Sequence, residues 1–490
     1  MRIYSYFVGL ISIFVLTACS DWLDIQPQDT TEDDQLFETG GGYRNALNGI
    51  YRQMSNSSMY GKELTWGALD AMAQYYSPKY GTNEDYFSTY KYTGSQIYPV
   101  VQDMWSKTYN CIANCNNLIQ RVSKESATTF IKGEEERLLI EGEALALRAI
   151  LHFDMYRLFA PAKEDGKKYL PYVDIYPCTF KEYITSEELL RKVTVDLKDA
   201  KDLVGRFDIP RSSWMEVGVR FKNDHQGITT TEKPNDLFFA YRGYRLNYYA
   251  ICGMLARVYL YRGMYKEAFD ETELVINAIS DKYGSSLFDF TNSSEFGQGN
   301  NKMYDELLFC LSNQMLADNY QNYRYANSLN LYSYNPKGDW FDDDSGDIRG
   351  KVIAADGWYY YCTKYLVADG TLSKYAKDMI PMLRLGEMYH IRAAYYNNLA
   401  EEATDNEQSK AYKNKAVEEI AVIRRGHGCA TDIVDSSSSD WFKTELIKEA
   451  RREFMGEGQL FYYFKRLNVP PKRGFKPESF VLPYPQNETL

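Results

Sequence analysis

The chain has no hydrophobic run long enough to cross a bilayer as a helix. Its longest apolar stretch, roughly Ile3 to Leu16, falls short of the about 20 residues a span needs. It has no disulfide framework either. With Cys19 set aside, seven cysteines remain (Cys111, Cys115, Cys178, Cys252, Cys310, Cys362 and Cys429), an odd and scattered set. Histidine is scarce, with four in 490 residues. Cys111 and Cys115 stand four apart on an expected helix, but no second Cys/His pair lies nearby, so no metal centre is expected. Basic clusters are missing as well. The balance of 67 acidic to 56 basic residues, net −11, argues against nucleic acid. A nucleophile elbow, a zinc-hydrolase helix motif and a phosphate loop are all absent. Carboxylate pairs are too easily found among so many acids to mark a glycosidase. No enzyme and no cofactor is expected.

What the chain does have is tyrosine, 44 of them, with 24 Phe and 7 Trp. Tyrosine combines an apolar face with a polar tip. It serves half-buried helix interfaces and also platforms for sugar rings. The N-terminus carries a second feature. Leu16-Thr17-Ala18-Cys19 follows directly on the apolar run. This resembles a bacterial lipoprotein signal, in which residues 1–18 are removed and Cys19 carries the acyl chains. Without that resemblance the segment reads as an ordinary secretory signal cleaved after Ala18, or as a short membrane anchor. Residues 19–39, polar and acidic with Pro27, read as a tether.

Helix patterns dominate the rest. Tyr43, Leu47, Ile50 and Met54 make a stripe after Gly40-Gly41-Gly42. A second helix is expected over Leu64–Tyr76, ending before Pro78, and a third over 100–122. A longer one over Glu134–Phe159 stops at Pro161, with Glu134, Glu135 and Glu136 at the positive end of its dipole. Ser186 is expected to cap a helix running to Val204. Residues 246–280 resemble one tetratricopeptide helix–turn–helix, with Gly263 in the turn. No 34-residue array follows. The expected architecture is therefore mostly α: tetratricopeptide-like helical hairpins in a superhelix-like scaffold, right-handed, with long loop-rich insertions and a few short β-hairpins.

Two insertions stand out, 207–243 and 281–376. The second is rich in Asn, Asp, Gly, Ser and Tyr, with no helix periodicity. Asp356-Gly357 within it signals a hairpin. Loops this long in a compact domain are functional or disordered. Helices are expected to resume at Ile380-Pro381 with Asp378 as cap, then over about 410–425 and 441–456.

The C-terminal part reads Glu449-Ala450-Arg451-Arg452-Glu453-Phe454-Met455-Gly456-Glu457-Gly458, then Lys465-Arg466, then Leu482-Pro483-Tyr484-Pro485-Gln486-Asn487-Glu488. Earlier come Asp21-Trp22-Leu23-Asp24, Arg245-Leu246-Asn247-Tyr248-Tyr249-Ala250 and Met382-Leu383-Arg384-Leu385-Gly386-Glu387. In this order the set resembles the SusD/RagB family, surface lipoproteins of Bacteroidota, over essentially the whole chain. Two places depart from it. Leu460 and Tyr463 stand where the family often has Arg and Asp, which removes a local ion pair. Glu449, Glu453 and Glu457 lie one turn apart, so the arginines here read as helix bridges.

The resemblance implies an N-terminal helical region (40–280) and a C-terminal region (281–490) whose insertion carries much of the ligand site. It implies an outer-membrane surface lipoprotein that captures oligosaccharide and delivers it to a SusC-like TonB-dependent transporter. Peptide capture in a RagAB-like importer is the alternative, and a surface glycoside hydrolase a remote one. A neutral sugar needs flat aromatic faces with polar groups at their edges. The candidates in the loops are Trp66, Tyr76, Tyr80, Tyr86, Trp340, Trp358 and Tyr359. On a hairpin strand alternate residues face inward, so only part of the last group can meet a ligand.

Overall fold

The computed structural model describes residues 34–178, 180–222, 234–430, 434–471 and 475–485. The leader, Cys19 and most of the tether lie outside the described residues, as do Gln486, Asn487 and Glu488 of the last motif.

Helix α1 (Gly40–Met54) starts at Thr39, whose hydroxyl accepts from the Gly42 amide (3.3 Å), and it buries the expected stripe. Then α2 (Tyr98–Val122), α3 (Glu134–Phe159), α4 (Ser186–Asp208), α5 (Tyr248–Tyr261) and α6 (Tyr265–Ile276) each pack on the helix before. The α5–α6 turn uses Gly263 at φ +71°, where a Cβ is disfavoured. Close approach matters at Gly253. A Cβ there would meet the Leu383 side chain at 2.7 Å. The cap of α4 is Thr185, not Ser186, and the hydroxyl accepts from the Glu188 amide.

Between α6 and the rest of the stack the chain makes a long excursion. It is less irregular than its composition suggests, because it holds α7 (Leu316–Asn327) and several strands. The expected Leu64–Tyr76 helix shrinks to Ala68–Met72, preceded by turns. Strands β1 (Lys168–Pro171) and β2 (Tyr183–Thr185) pair antiparallel. So do β3 (Leu307–Ser312) with β6 (Met379–Arg384), and β4 (Ile353–Asp356) with β5 (Tyr359–Cys362). The hairpin falls where Asp-Gly marked it. Its two-residue loop is Gly357-Trp358, with Gly357 at φ +61° in first place. A helix does not resume at Ile380. Met379–Arg384 is strand β6, buried throughout, with Cys310 opposite Pro381. A strand covered on both faces is a continuous apolar run, which periodicity cannot tell from a helix turn. The stack then continues from α6 through α8 (Leu385–Glu402) and α9 (Asn406–Gly426), followed by α10 (Trp441–Glu453) and α11 (Leu460–Leu467).

The interior carries many charges, and most of those on the helices and the C-terminal motif meet an opposite charge. On α3, Arg148 binds both oxygens of Asp196 (2.6 and 2.8 Å). Glu143 is held by Arg242 and Arg245, and Arg242 also clasps Asp208 (2.9 Å twice). The C-terminal motif forms a second network. Glu449 bridges Arg349 and Arg424, and Glu457 bridges Lys364 (2.8 Å) and Arg384. Asp70 accepts from the amides of Gly456 (2.8 Å) and Gly458 (3.0 Å), tying the short N-terminal helix to this motif. The two departures are filled by packing. Leu460 sits in the core, and the Tyr463 hydroxyl pairs with His390 Nδ1 (2.9 Å).

Candidate functional site

Three extended segments lie side by side near α7. The Tyr332 amide donates to the Tyr75 carbonyl (2.7 Å), and the Ser77 amide to the Asn330 carbonyl (2.9 Å). On the other flank the Leu331 amide donates to the Tyr360 carbonyl (2.7 Å), which belongs to the β4–β5 hairpin. Alternation then decides which rings face water. Leu329, Leu331 and Ser333 are buried, while Tyr332 and Tyr334 are exposed. Two rings on one face of such a segment stand roughly 6–7 Å apart along it.

The hairpin adds Trp358 in its turn, 89% exposed, and Tyr359 beside it. The loop after Tyr76 adds Tyr80, 91% exposed, and α7 adds Tyr325. Among the described residues, Tyr80, Tyr332, Tyr334, Trp358 and Tyr359 pack against no other ring. Isolated exposed aromatics are ordinary, but a group gathered by one backbone ribbon is not.

Beneath this face the packing is dense. Trp66, 1% exposed, stands edge-on to Tyr320 (5.0 Å) and Tyr323 (5.6 Å) of α7. The Tyr323 hydroxyl donates to Glu84 (2.6 Å), and Lys62 Nζ lies 3.8 Å from the Tyr323 ring centre. Lys62 also pairs with Glu63 (2.7 Å), and burial alone would lower its pKa, but Glu63 and Glu84 raise it. The Tyr320 hydroxyl donates to the Cys362 carbonyl (2.7 Å), which anchors the hairpin.

Of the sequence candidates, Trp358 and Tyr359 lie on the hairpin bonded to this segment and are exposed, Tyr80 is exposed in the loop after Tyr76, and Tyr86 is half-buried against the core. Trp66, Tyr76 and Trp340 offer no open ring. Trp66 is closed by the α7 tyrosines, and Tyr76 pairs with Leu331 in the ribbon. Trp340 is closed by Tyr75 (5.8 Å) and by Arg451 above its ring. Tyr325, Tyr332 and Tyr334 escaped the sequence reading. The period-two pattern Leu329-x-Leu331-x-Ser333 was the available sign of the last two. Two cavities, of about 390 and 420 Å³, are lined by other residues, around Trp441 and around Trp214.

Comparison with known proteins gives a consistent result. Residues 21–213 match the SusD-like_3 family model, described as starch-binding associating with outer membrane. SusD-like protein P38 of Formosa agariphila is 25% identical over 195 residues, which are 40% of this chain and 36% of that protein. SusD-like protein P2 of the same organism is 22% identical over 274 residues, 55% of this chain and 45% of that one. The matches thus span less than half of these curated relatives. Solved structures match more fully. A SusD superfamily protein from Bacteroides fragilis superposes with TM-score 0.65 at 18% identity, covering 93% of this chain and 98% of its own. A SusD-like carbohydrate binding protein from Bacteroides vulgatus gives TM-score 0.62 at 19% identity, covering 88% and 83%. At such identity the structures establish a shared fold.

Proposed function

This chain belongs to the SusD/RagB family, and on that premise we propose that it is a surface-exposed glycan-binding lipoprotein. It captures oligosaccharide on the aromatic face and delivers it to a SusC-like TonB-dependent transporter of the outer membrane. Cys19 is its lipid anchor and the exterior its side. It binds and does not catalyse. The observation that carries the reading is the group of exposed rings on α7, the 330–334 segment and the hairpin bonded to it. Sugar rings present C–H faces that stack on such rings, while hydroxyls reach polar groups at their edges. The names of the relatives, which speak of starch, sugar and carbohydrate, support the same class of ligand.

The test is calorimetric titration of the mature chain with a panel of oligosaccharides. Combined Ala replacement of Tyr332, Tyr334 and Trp358 should abolish binding to whichever glycan the wild type takes. Binding left intact in that variant defeats the choice of face. Preference for peptides over every glycan would replace the ligand class. Separately, Cys19→Ala should leave binding in vitro unchanged and release the protein from the cell surface. Retention on the membrane would refute the anchor.

A further inference from the structure

Arg324, on α7 under the aromatic face, is only 5% exposed, yet its guanidinium makes no hydrogen bond among the described residues. It is held by rings. Its Cζ lies 3.9 Å from the Tyr361 ring centre and 4.4 Å from that of Tyr325. Such stacking fixes the plane of the fork while leaving its N–H groups unused. Other buried arginines behave differently. Arg242 and Arg384 each donate hydrogen bonds to two carboxylates. A buried charged donor left without a hydrogen bond is costly, so it marks a place where a partner from outside would be welcomed.

One carboxylate stands near. Asp356 Oδ2 is 3.9 Å from Arg324 Nη1, beyond hydrogen-bond length, and the Asp356 side chain is 67% exposed. It has no other partner among the described residues. Asp356 is the last residue of β4, directly before the Gly357-Trp358 turn. A donor fork and a carboxylate, in a long ion pair but not hydrogen-bonded to each other, therefore stand two residues from the most exposed indole of the platform.

We propose that Arg324 and Asp356 form a donor–acceptor pair that binds a vicinal diol of a neutral glycan whose ring lies on the platform. The inference rests on the platform reading and adds the substrate class. Each hydroxyl both donates and accepts. Two neighbouring hydroxyls can accept from the fork and donate to the carboxylate together. A uronate or sulfated sugar would satisfy the fork but would meet the Asp356 charge. The pair thus selects neutral sugars over acidic ones.

The test titrates the full mature chain with maltohexaose, cellohexaose, xylohexaose, mannohexaose and hexagalacturonate. The expected result is binding of a neutral member, weakened about tenfold or more by Arg324→Gln, as loss of charge-assisted hydrogen bonds implies. Asp356→Ala should weaken the neutral ligand several-fold and strengthen hexagalacturonate. The Asp356 side chain is 67% exposed and makes no hydrogen bond, so that variant folds even if Arg324→Gln does not, and equal thermal melts verify it. Neutral-glycan affinity unchanged in Asp356→Ala, with binding lost in Trp358→Ala, overturns this inference and leaves the platform standing. Tighter binding of hexagalacturonate by the wild type overturns the substrate class. Wild-type affinity in all three variants, or no binding of any member, defeats the platform and the inference together.

Discussion

Two arginines, Arg349 beside α10 and Arg324 beneath the aromatic face, are both withdrawn from water. Arg349 donates to Asp347 (2.8 and 2.9 Å), Glu449 (2.5 Å) and Glu453 (3.0 Å). Arg324 donates to nothing in the described chain and rests between two tyrosine rings. The same contrast holds for the indoles, since Trp66 is sealed among tyrosines and Trp358 stands almost wholly in water. One region has closed its polar and aromatic contacts internally, and the other has left both kinds open on one face. In the closed region charge and rings hold the fold. In the open region they are available to a ligand.

The contrast is broken most directly by emptying the closed network. Arg349→Leu leaves Asp347, Glu449 and Glu453 without their shared cation, and removal of one partner of a buried pair costs about 3–5 kcal/mol. Denaturant unfolding should show that loss, while Arg324→Leu should cost about 1 kcal/mol or less, since only ring contacts and a long, solvent-screened ion pair with Asp356 go. Equal losses would mean the two sites are not different in kind. Trp66→Ala should cost about 3–5 kcal/mol by leaving a cavity among Tyr320, Tyr323 and Tyr365. A small loss there would show that the α7 packing is loose.

The closed network also makes stability depend on pH. Burial alone would raise Glu449 and Glu306, but Arg349 and Arg424 outweigh it for the first, and His427 and Arg384 for the second, so both titrate below the ordinary 4.5. The unfolded chain takes up these protons first, so the stabilisation is complete above pH 4.5 and fades as pH falls further. His427 runs the other way. Burial would lower it, but Glu306 at 2.9 Å lifts it above its ordinary 6.5. Its contribution is present below pH 6.5 and is lost as pH rises through its folded value. Thermal melts over about pH 3 to 9 should therefore lose stability on both sides. His427→Gln should flatten the alkaline side and, because Glu306 loses one of the partners that lower it, soften the acid side as well. An unchanged alkaline fall in that variant would place its source elsewhere.

Much of the closed region was legible in the sequence. The α1 stripe, the Glu134–Phe159 helix and the Gly263 turn announce themselves by period, charge and a residue tolerant of positive φ. The bridging role of Glu449 and its neighbours follows from their one-turn spacing, though which arginines they meet does not. Arg349, Arg384 and Arg424 arrive from distant parts of the chain. The open region was legible only in part. Trp358 and Tyr359 follow from the Asp-Gly turn, but Trp66 and Trp340 look equally available in the sequence. What seals them is α7 and the Arg451 side chain, contacts of long range that no local pattern carries. The strand Met379–Arg384 was misread for a related reason, since burial on both faces erases the period that would identify it.

The smallest expected effect on stability is the most telling about function. Trp358 occupies a hairpin turn, touches no other ring among the described residues, and follows a glycine that already supplies the positive φ. Trp358→Ala removes neither a packed side chain nor a backbone constraint, so unfolding should change by no more than about 0.5 kcal/mol. Glycan affinity should nevertheless fall about tenfold, which is about 1.4 kcal/mol of binding. The two measurements answer different questions. A stability loss as large as that of Trp66→Ala would show that the indole is packed after all and that the open face is smaller than drawn. An unchanged affinity with unchanged stability would leave Trp358 as an ordinary exposed side chain, and the face would have to be rebuilt around Tyr332 and Tyr334. Only loss of binding without loss of fold keeps the two regions as different as their contacts make them.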